Sequence, residues 1–307
     1  MTPDWRYGLA DGDGLRVLLD EPMNSHTTYR VGGSTQAFLK VTELSALETS
    51  LTYLAEQNVP FVVVGKGSNV LFSDAPYAGA VIHLARGFDS IDLRQEGDAF
   101  VLRVGASLPI TKLIRYLKNQ QLAGLECLGG VPGSVGGAVK MNAGTVMGEV
   151  KDSLLRVQVV CPHTPAHWID ARELNLGYRH SELPENSVVV AAEFACQRAD
   201  AETFERLEQV LAYRKKTQPL QMPSCGSVFA NPPGDHAGRL IEACGLKGER
   251  VGGAQISEKH ANWIVNVGEA TASDVSALMQ LCIRSVHQQF GVNLRHEVQY
   301  LGDWTQA

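Results

Sequence analysis

Val62-Val63-Val64-Gly65-Lys66-Gly67-Ser68-Asn69-Val70-Leu71 is the stretch on which the fold turns. It begins as a dinucleotide-binding fingerprint does, with an apolar strand followed by Gly-x-Gly. Then it departs. The third glycine position is Val70, and Leu71-Phe72-Ser73-Asp74-Ala75-Pro76 is not a helix start, so no pyrophosphate could rest on a helix N-terminus there. What remains is a loop whose glycines permit positive φ and close approach. Successive N–H groups of such a loop can point at phosphate oxygens, with Ser68 and Asn69 as further donors. A tight turn after a strand would explain the same residues.

A second loop strengthens the phosphate reading. Residues 124–148, GLECLGGVPGSVGGAVKMNAGTVMG, carry eight glycines in 25 residues, with small apolar residues between them and few charges. A surface linker of that length would be polar. Glycine among Val, Leu and Met suggests buried backbone packed against a large ligand, the alternative being a glycine-rich crossing of the core.

Around these loops the elements follow from periodicity. Leu44, Leu47, Leu51 and Leu54 share a helical face over residues 43–57, with Thr42 as the expected N-cap and a buried strand at 61–64 after it. Residues 80–84 read as a strand. Residues 91–94 and 100–104 read as a hairpin through Glu96-Gly97-Asp98. Ile110, Leu113, Ile114 and Leu117 mark a helix over 107–121, with Pro109 in its first turn and Gly124 ending it. Strands are expected at 154–160 and 188–194, which gives a mixed order and not a βαβ alternation. Phe204, Leu207, Val210 and Leu211 form an amphipathic helix that ends in Arg214-Lys215-Lys216 before Pro219. A last helix, 273–290, buries Val275, Leu278, Met279, Cys282 and Val286 and is closed by Gly291. A boundary is expected at 198–203.

The composition, 44% hydrophobic and 20% charged over 307 residues, is that of a soluble globular chain of two or three units. A net charge of -6 and a pI near 5.9 argue against nucleic acid or a membrane surface as partner. No run reaches membrane-spanning length and the N-terminus has no leader pattern, so a cytoplasmic location is expected. Cys127, Cys161, Cys196, Cys225, Cys244 and Cys282 form no CxxC and are expected as reduced thiols. His260 and His296 have no third ligand at useful spacing, so no metal is expected.

The separated motifs, taken in order, are specific. Asn24-Ser25-His26-Thr27-Thr28-Tyr29-Arg30-Val31-Gly32-Gly33, GKGSNVLF at 65–72 and GVPGSVGGAV at 130–139 are followed by Asn142-Ala143-Gly144 and Tyr178-Arg179-His180-Ser181. Ser224-Cys225-Gly226-Ser227-Val228-Phe229, residues 261–266 and Arg295-His296-Glu297-Val298 complete the set. Nearly end to end, the chain resembles the UDP-N-acetylenolpyruvoylglucosamine reductase (UDP-N-acetylmuramate dehydrogenase) family. Only Glu182 to Asn186 separate the Tyr-Arg-x-Ser motif from the next strand, so it resembles the shorter type, which lacks a tyrosine-bearing loop insertion.

The resemblance implies an α+β fold. A vanillyl-alcohol-oxidase/PCMH-like FAD-binding domain over 1–200 (subdomains about 1–75 and 76–200) is followed by a smaller α+β substrate-binding domain over 201–307. It implies FAD and NADPH as cofactors, a UDP-sugar as the partner, and a role in peptidoglycan precursor synthesis. With no pattern that fixes an oligomeric state, a monomer is the working expectation.

For FAD the resemblance points to Gly65, Lys66, Gly67, Ser68, Asn69 and Val70, and to Gly129, Gly130, Pro132, Gly133, Ser134, Gly136 and Gly137. Asn142, Ala143, Gly144 and Val190 complete that group. For catalysis it points to Arg179 as a fork on the substrate carboxylate, Ser227 as general acid, and Glu297 as a carboxyl held protonated or tightly hydrogen-bonded, with a raised pKa as part of that role. Each has a plainer alternative: a surface ion pair, a turn hydroxyl after Gly226, an exposed strand residue. Tyr178, Arg214, Lys215 and Asn231 are the candidate substrate contacts. The Arg214-Lys215-Lys216 run could equally be a solvated helix end favoured by the macrodipole. Cys225 is Ser227's rival, and it reads as a packing residue because no step needs covalent catalysis.

Overall fold

The alternation read at residues 91–104 is a hairpin in the computed structural model of the chain, which describes residues 4–97 and 99–304. Strands Ile91–Glu96 and Ala99–Gly105 pair antiparallel with Glu96 opposite Ala99; Gly97 turns the chain at φ +65, and Asp98 lies outside the described residues. The hairpin belongs to a six-stranded sheet in the order Thr164–Asp170, Leu154–Cys161, Val188–Arg198, Ala99–Gly105, Ile91–Glu96, with Leu122–Ala123 added to the end of Val188–Arg198. Strand Thr164–Asp170 escapes the sequence reading because it opens on exposed Thr164 and Pro165 and buries no residue fully.

The described residues divide into two units. The first takes the chain through Leu19, then Ala37–Gly65 and Gly79–Ala212; the second takes Asp20–Gln36, Lys66–Ala78 and Tyr213 onward. A four-stranded sheet runs in the order Leu15–Pro22, Ser34–Val41, Tyr77–Leu84, Phe61–Val63.

In the first unit, helix α1 (Leu44–Glu56) buries Leu47, Leu51 and Leu54 as the spacing predicts. Leu44 does not join them: it is the first helical residue and stays 38% exposed. The N-cap is Glu43 and not Thr42, because Thr42 is still tied by its N–H to Gly14. Helix α2 (Ile110–Gln120) buries Ile110, Leu113 and Leu117, with Pro109 as its extended N-cap just outside the first turn. It stops three residues before Gly124, on left-handed Gln121, whose N–H reaches back to Leu117. The glycine-rich stretch is not loop throughout, since residues Val135–Lys140 form a short helix, α3. Helix α4 (Ala201–Thr217) is amphipathic on a narrow stripe, with Leu207 fully buried and Phe204, Val210 and Leu211 partly so.

The second unit has its own core: Tyr29, Val31 and Leu71 pack with Cys225, Val228, Phe229 and the inner faces of α5 (Ala237–Ala243) and α6 (Ala272–Phe290). The expected face of α6 is buried in full, and left-handed Gly291 ends the helix. Beside it lie the antiparallel sheet Arg250–Val251, Ala254–Ile256, Ile264–Asn266 and a parallel pair, Val70–Phe72 with Gln299–Leu301. Among the described residues no helix is long and apolar enough to cross a membrane.

Candidate active site

In the first unit the second glycine loop sorts its residues by chemistry. Leu125, Leu128, Val135 and Val139 point into the core at 0% exposure, whereas the backbone at Gly130 and Gly137 is exposed. Gly65 faces this loop so closely that a Cβ on it would stand 2.5 Å from the Ser134 hydroxyl. Gly136 donates to Ala106, and Ala106 in turn donates to the Val190 carbonyl, which places Val190 directly behind the loop. Pro132 is exposed, Gly133 is partly so, and Gly129 backs onto Leu207. Residues 129–144 contain no Asp or Glu, so the stretch itself brings no carboxylate to oppose an anion. The residues present fit a phosphate-bearing cofactor.

The end of this loop is braced internally. Asn142 is fully buried and donates to the Gly177 carbonyl at 2.8 Å and to Glu149 at 3.2 Å, while its Oδ1 accepts from the Lys151 N–H. Its backbone N–H is likewise used, donated to the Val139 carbonyl. Ala143 accepts from Val150, and Gly144 pairs with Glu149 in a small hairpin. Arg179 docks on that hairpin: it donates to the Gly144 carbonyl at 3.0 Å, stands 3.8 Å from the Glu149 carboxylate and stacks over the half-exposed Tyr178 ring at 4.8 Å. Arg179 adopts φ +56 in the tight turn closed between Gly177 and His180.

In the second unit the Gly-Lys-Gly loop wraps onto the Asn24–Gly33 motif. Gly67 accepts from Thr28 and takes φ +63, and a Cβ there would lie 2.1 Å from the His26 carbonyl. No residue but glycine fits both demands. Lys66 is exposed, Ser68 and Val70 are partly so, and Asn69 donates to the Glu297 carbonyl at 3.2 Å. Glu297 donates its own N–H to Val228, and Phe229 bridges to His296. Ser227 and Glu297 thus come together on adjoining backbone segments, both partly exposed. Burial, aided by Glu297, pushes the Cys225 thiol up to about 12. The Tyr29 hydroxyl beside it is fully buried without a conventional hydrogen-bond partner.

The chain matches the FAD-binding domain family over residues 35–168 and the C-terminal domain family of UDP-N-acetylenolpyruvoylglucosamine reductase over residues 218–301. It is 39% identical to the reductase of that name from Halalkalibacterium halodurans, covering 94% of this chain and 95% of the relative. Against that of Syntrophobacter fumaroxidans it is 42% identical, covering 92% and 82%. The chain belongs to the UDP-N-acetylenolpyruvoylglucosamine reductase family. The crystal structure of the reductase from Thermus caldophilus superposes with a TM-score of 0.79 at 36% identity, over 93% of this chain and 98% of that one. As a member of this reductase family the chain is an FAD-dependent oxidoreductase, with an FAD-binding fold followed by the family's C-terminal domain.

The candidate substrate residues of this reductase chain differ in what they have to spare. Burial holds Arg214 below its ordinary range, and its Nε donates to Gln218. Lys215 is exposed and its carbonyl accepts from the Lys259 ammonium. The Asn231 Oδ1 accepts from the first N–H of α5, at Ala237. Glu149, which meets Asn142, Lys151 and Arg179 together, is the residue that sequence reasoning passed over: a lone Glu beside Gly148 has no spacing signature.

Proposed function

We propose that the chain reduces the enolpyruvyl C=C bond of UDP-N-acetylenolpyruvoylglucosamine to give UDP-N-acetylmuramate, a peptidoglycan precursor, using NADPH. The observation that carries this reading is the junction in the second unit. Asn69 of the glycine loop bonds to Glu297, and Glu297 bonds to the segment bearing Ser227. The glycine loop, the residue carrying the carboxyl group and the segment carrying the hydroxyl are joined there by an Asn69 side-chain bond and a backbone bond.

The glycine loops at 65–70 and 129–144 would hold FAD, which would supply hydride chemistry between NADPH and the terminal vinyl carbon. Negative charge then gathers on the carbon bearing the carboxylate, and the chain's residues must stabilise and protonate it. Arg179 presents a planar fork suited to the carboxylate. Ser227 gives its hydroxyl proton to the carbanionic carbon, a base strong enough to take it when aligned. Glu297 acts as a protonated or tightly hydrogen-bonded carboxyl, because an unscreened charge beside the intermediate would repel it. Cys225 is not a competing acid, since its thiol is buried while Ser227 is partly open. Arg214 and Lys215 supply cations for the diphosphate, and Tyr178 and Asn231 line the sugar. The FAD-binding part is proposed to span 1–200 and the substrate part 201–307, in a cytoplasmic monomer.

Purified protein is expected to be yellow, to bleach with NADPH, and to recolour when the enolpyruvyl substrate is added. Protein with no flavin would sink the reading. Ser227→Ala should bleach at the normal rate and recolour at least a hundredfold more slowly. Equal losses in both half-reactions would remove Ser227 from its role.

A further inference from the structure

We infer that Glu149 is a positioning residue that acts through Arg179, fixing the guanidinium in the orientation that receives the substrate's carboxylate. The inference rests on the proposed role of Arg179 and adds to it a residue with no assigned part. Besides accepting from the Asp152 N–H, the Glu149 carboxylate has two further tasks. Oε2 takes the Lys151 ammonium at 2.8 Å and the Asn142 amide at 3.2 Å, and these hold the carboxylate from behind. Oε1 is turned to the Arg179 guanidinium at 3.8 Å.

The same small hairpin supplies the Gly144 carbonyl to Arg179 at 3.0 Å, and the Tyr178 ring supports the guanidinium plane. A carbonyl, a carboxylate and a ring face together limit the rotation of a side chain that would otherwise lose much rotamer freedom on meeting its ligand. The side chains of Arg179 and Glu149 are both only 18% exposed, so the pair is screened less than a surface pair.

The charge arithmetic permits binding. Lys151, Glu149 and Arg179 are two cations and one carboxylate. Asp152, which accepts the Glu149 N–H and faces Lys151, brings the local set to balance, so the neighbours of Arg179 carry no net negative charge that would repel an anion. The Glu149 carboxylate also accepts from the Asp152 N–H in a reciprocal capping box, so a purely structural role is the alternative to be excluded.

The test uses flavin-loaded enzyme and stopped-flow measurement of each half-reaction. Glu149→Gln is expected to leave bleaching by NADPH within twofold of normal and to slow recolouring by substrate on the order of tenfold or more, the scale of a mispositioned binding group. In an Arg179→Ala background the same substitution should change recolouring by less than twofold, because a residue that acts through another has nothing left to act on. Glu149→Asp, which keeps the charge, should recover part of the loss, and it is the variant to measure if the Gln protein does not retain flavin.

Three results would overturn the inference: recolouring unchanged by Glu149→Gln, both half-reactions slowed alike, or the full factor persisting without Arg179. If Arg179→Ala alone recoloured normally, the role of Arg179 would fall first, and that outcome is distinct from the other three.

Discussion

Cys225 and Ser227 stand two residues apart, yet their surroundings give them opposite chemistry. Burial holds the thiol near 12, whereas Ser227 is partly open. A thiol so placed stays protonated and inert at neutral pH. Alkylation of the native protein by iodoacetamide at pH 7, read by peptide mass spectrometry, should leave Cys225 unmodified; labelling there at the rate of an exposed cysteine would contradict this.

His260 provides a pH test. Its Nδ1 accepts from the Asn262 N–H, and burial, with Lys247 nearby, depresses its pKa. Above its unfolded value of about 6.5 the imidazole is neutral in both states. As pH falls below that value the unfolded chain takes up the proton first, so stability is lost on the acid side. His260→Asn, which keeps an acceptor at the same place, should flatten the acid limb of urea midpoint against pH between 6.5 and 5. An unchanged limb would show that other groups control it.

Among the elements, α6 is the most fully specified. Thr271 and Asp274 form a reciprocal capping box, and Asp74 adds hydrogen bonds to the N–H groups of Ala272 and Ser273 at 2.8 Å each. Thr271→Ala should lower stability by about 1 kcal/mol in urea unfolding. Asp74→Ala should cost at least as much, because two N–H groups lose their acceptor.

The body of this helix was legible in the sequence from its period and from Gly291. Asp74, 198 residues away, was not, since nothing local marks a cap supplied from such a distance. The misplaced ends of α1 and α2 have the same cause. Leu44 and Pro109 satisfy helical rules locally, but Thr42 was already committed to Gly14 and Gln121 could take the left-handed position. Short strands such as Val70–Phe72 are three residues long, too short for a period to register. The candidate site residues stand out in the sequence through their motifs. Glu149 does not, because its meaning lies in Arg179 reaching back across 35 residues to the same hairpin.

For the whole molecule, the second unit cannot be cut from the chain at one point. Its core needs Tyr29, Val31 and Leu71, which precede Tyr213 by well over a hundred residues. A fragment of residues 201–307 should therefore show no cooperative thermal transition by near-UV circular dichroism. A sharp transition would show that the C-terminal segment holds a sufficient core of its own.

The parallel pairing of Val70–Phe72 with Gln299–Leu301 also sets an order in time. Asn69 meets Glu297 across 228 residues of chain, and at ~5–20 residues per second a ribosome needs roughly 11–46 s to make them. Throughout that interval the nascent strand beside the glycine loop has an open edge that invites strangers. The strand beside the glycine loop gains its partner only when the segment following Glu297 is made, so translation that stops short of it leaves material for proteases and chaperones and no half-competent reductase.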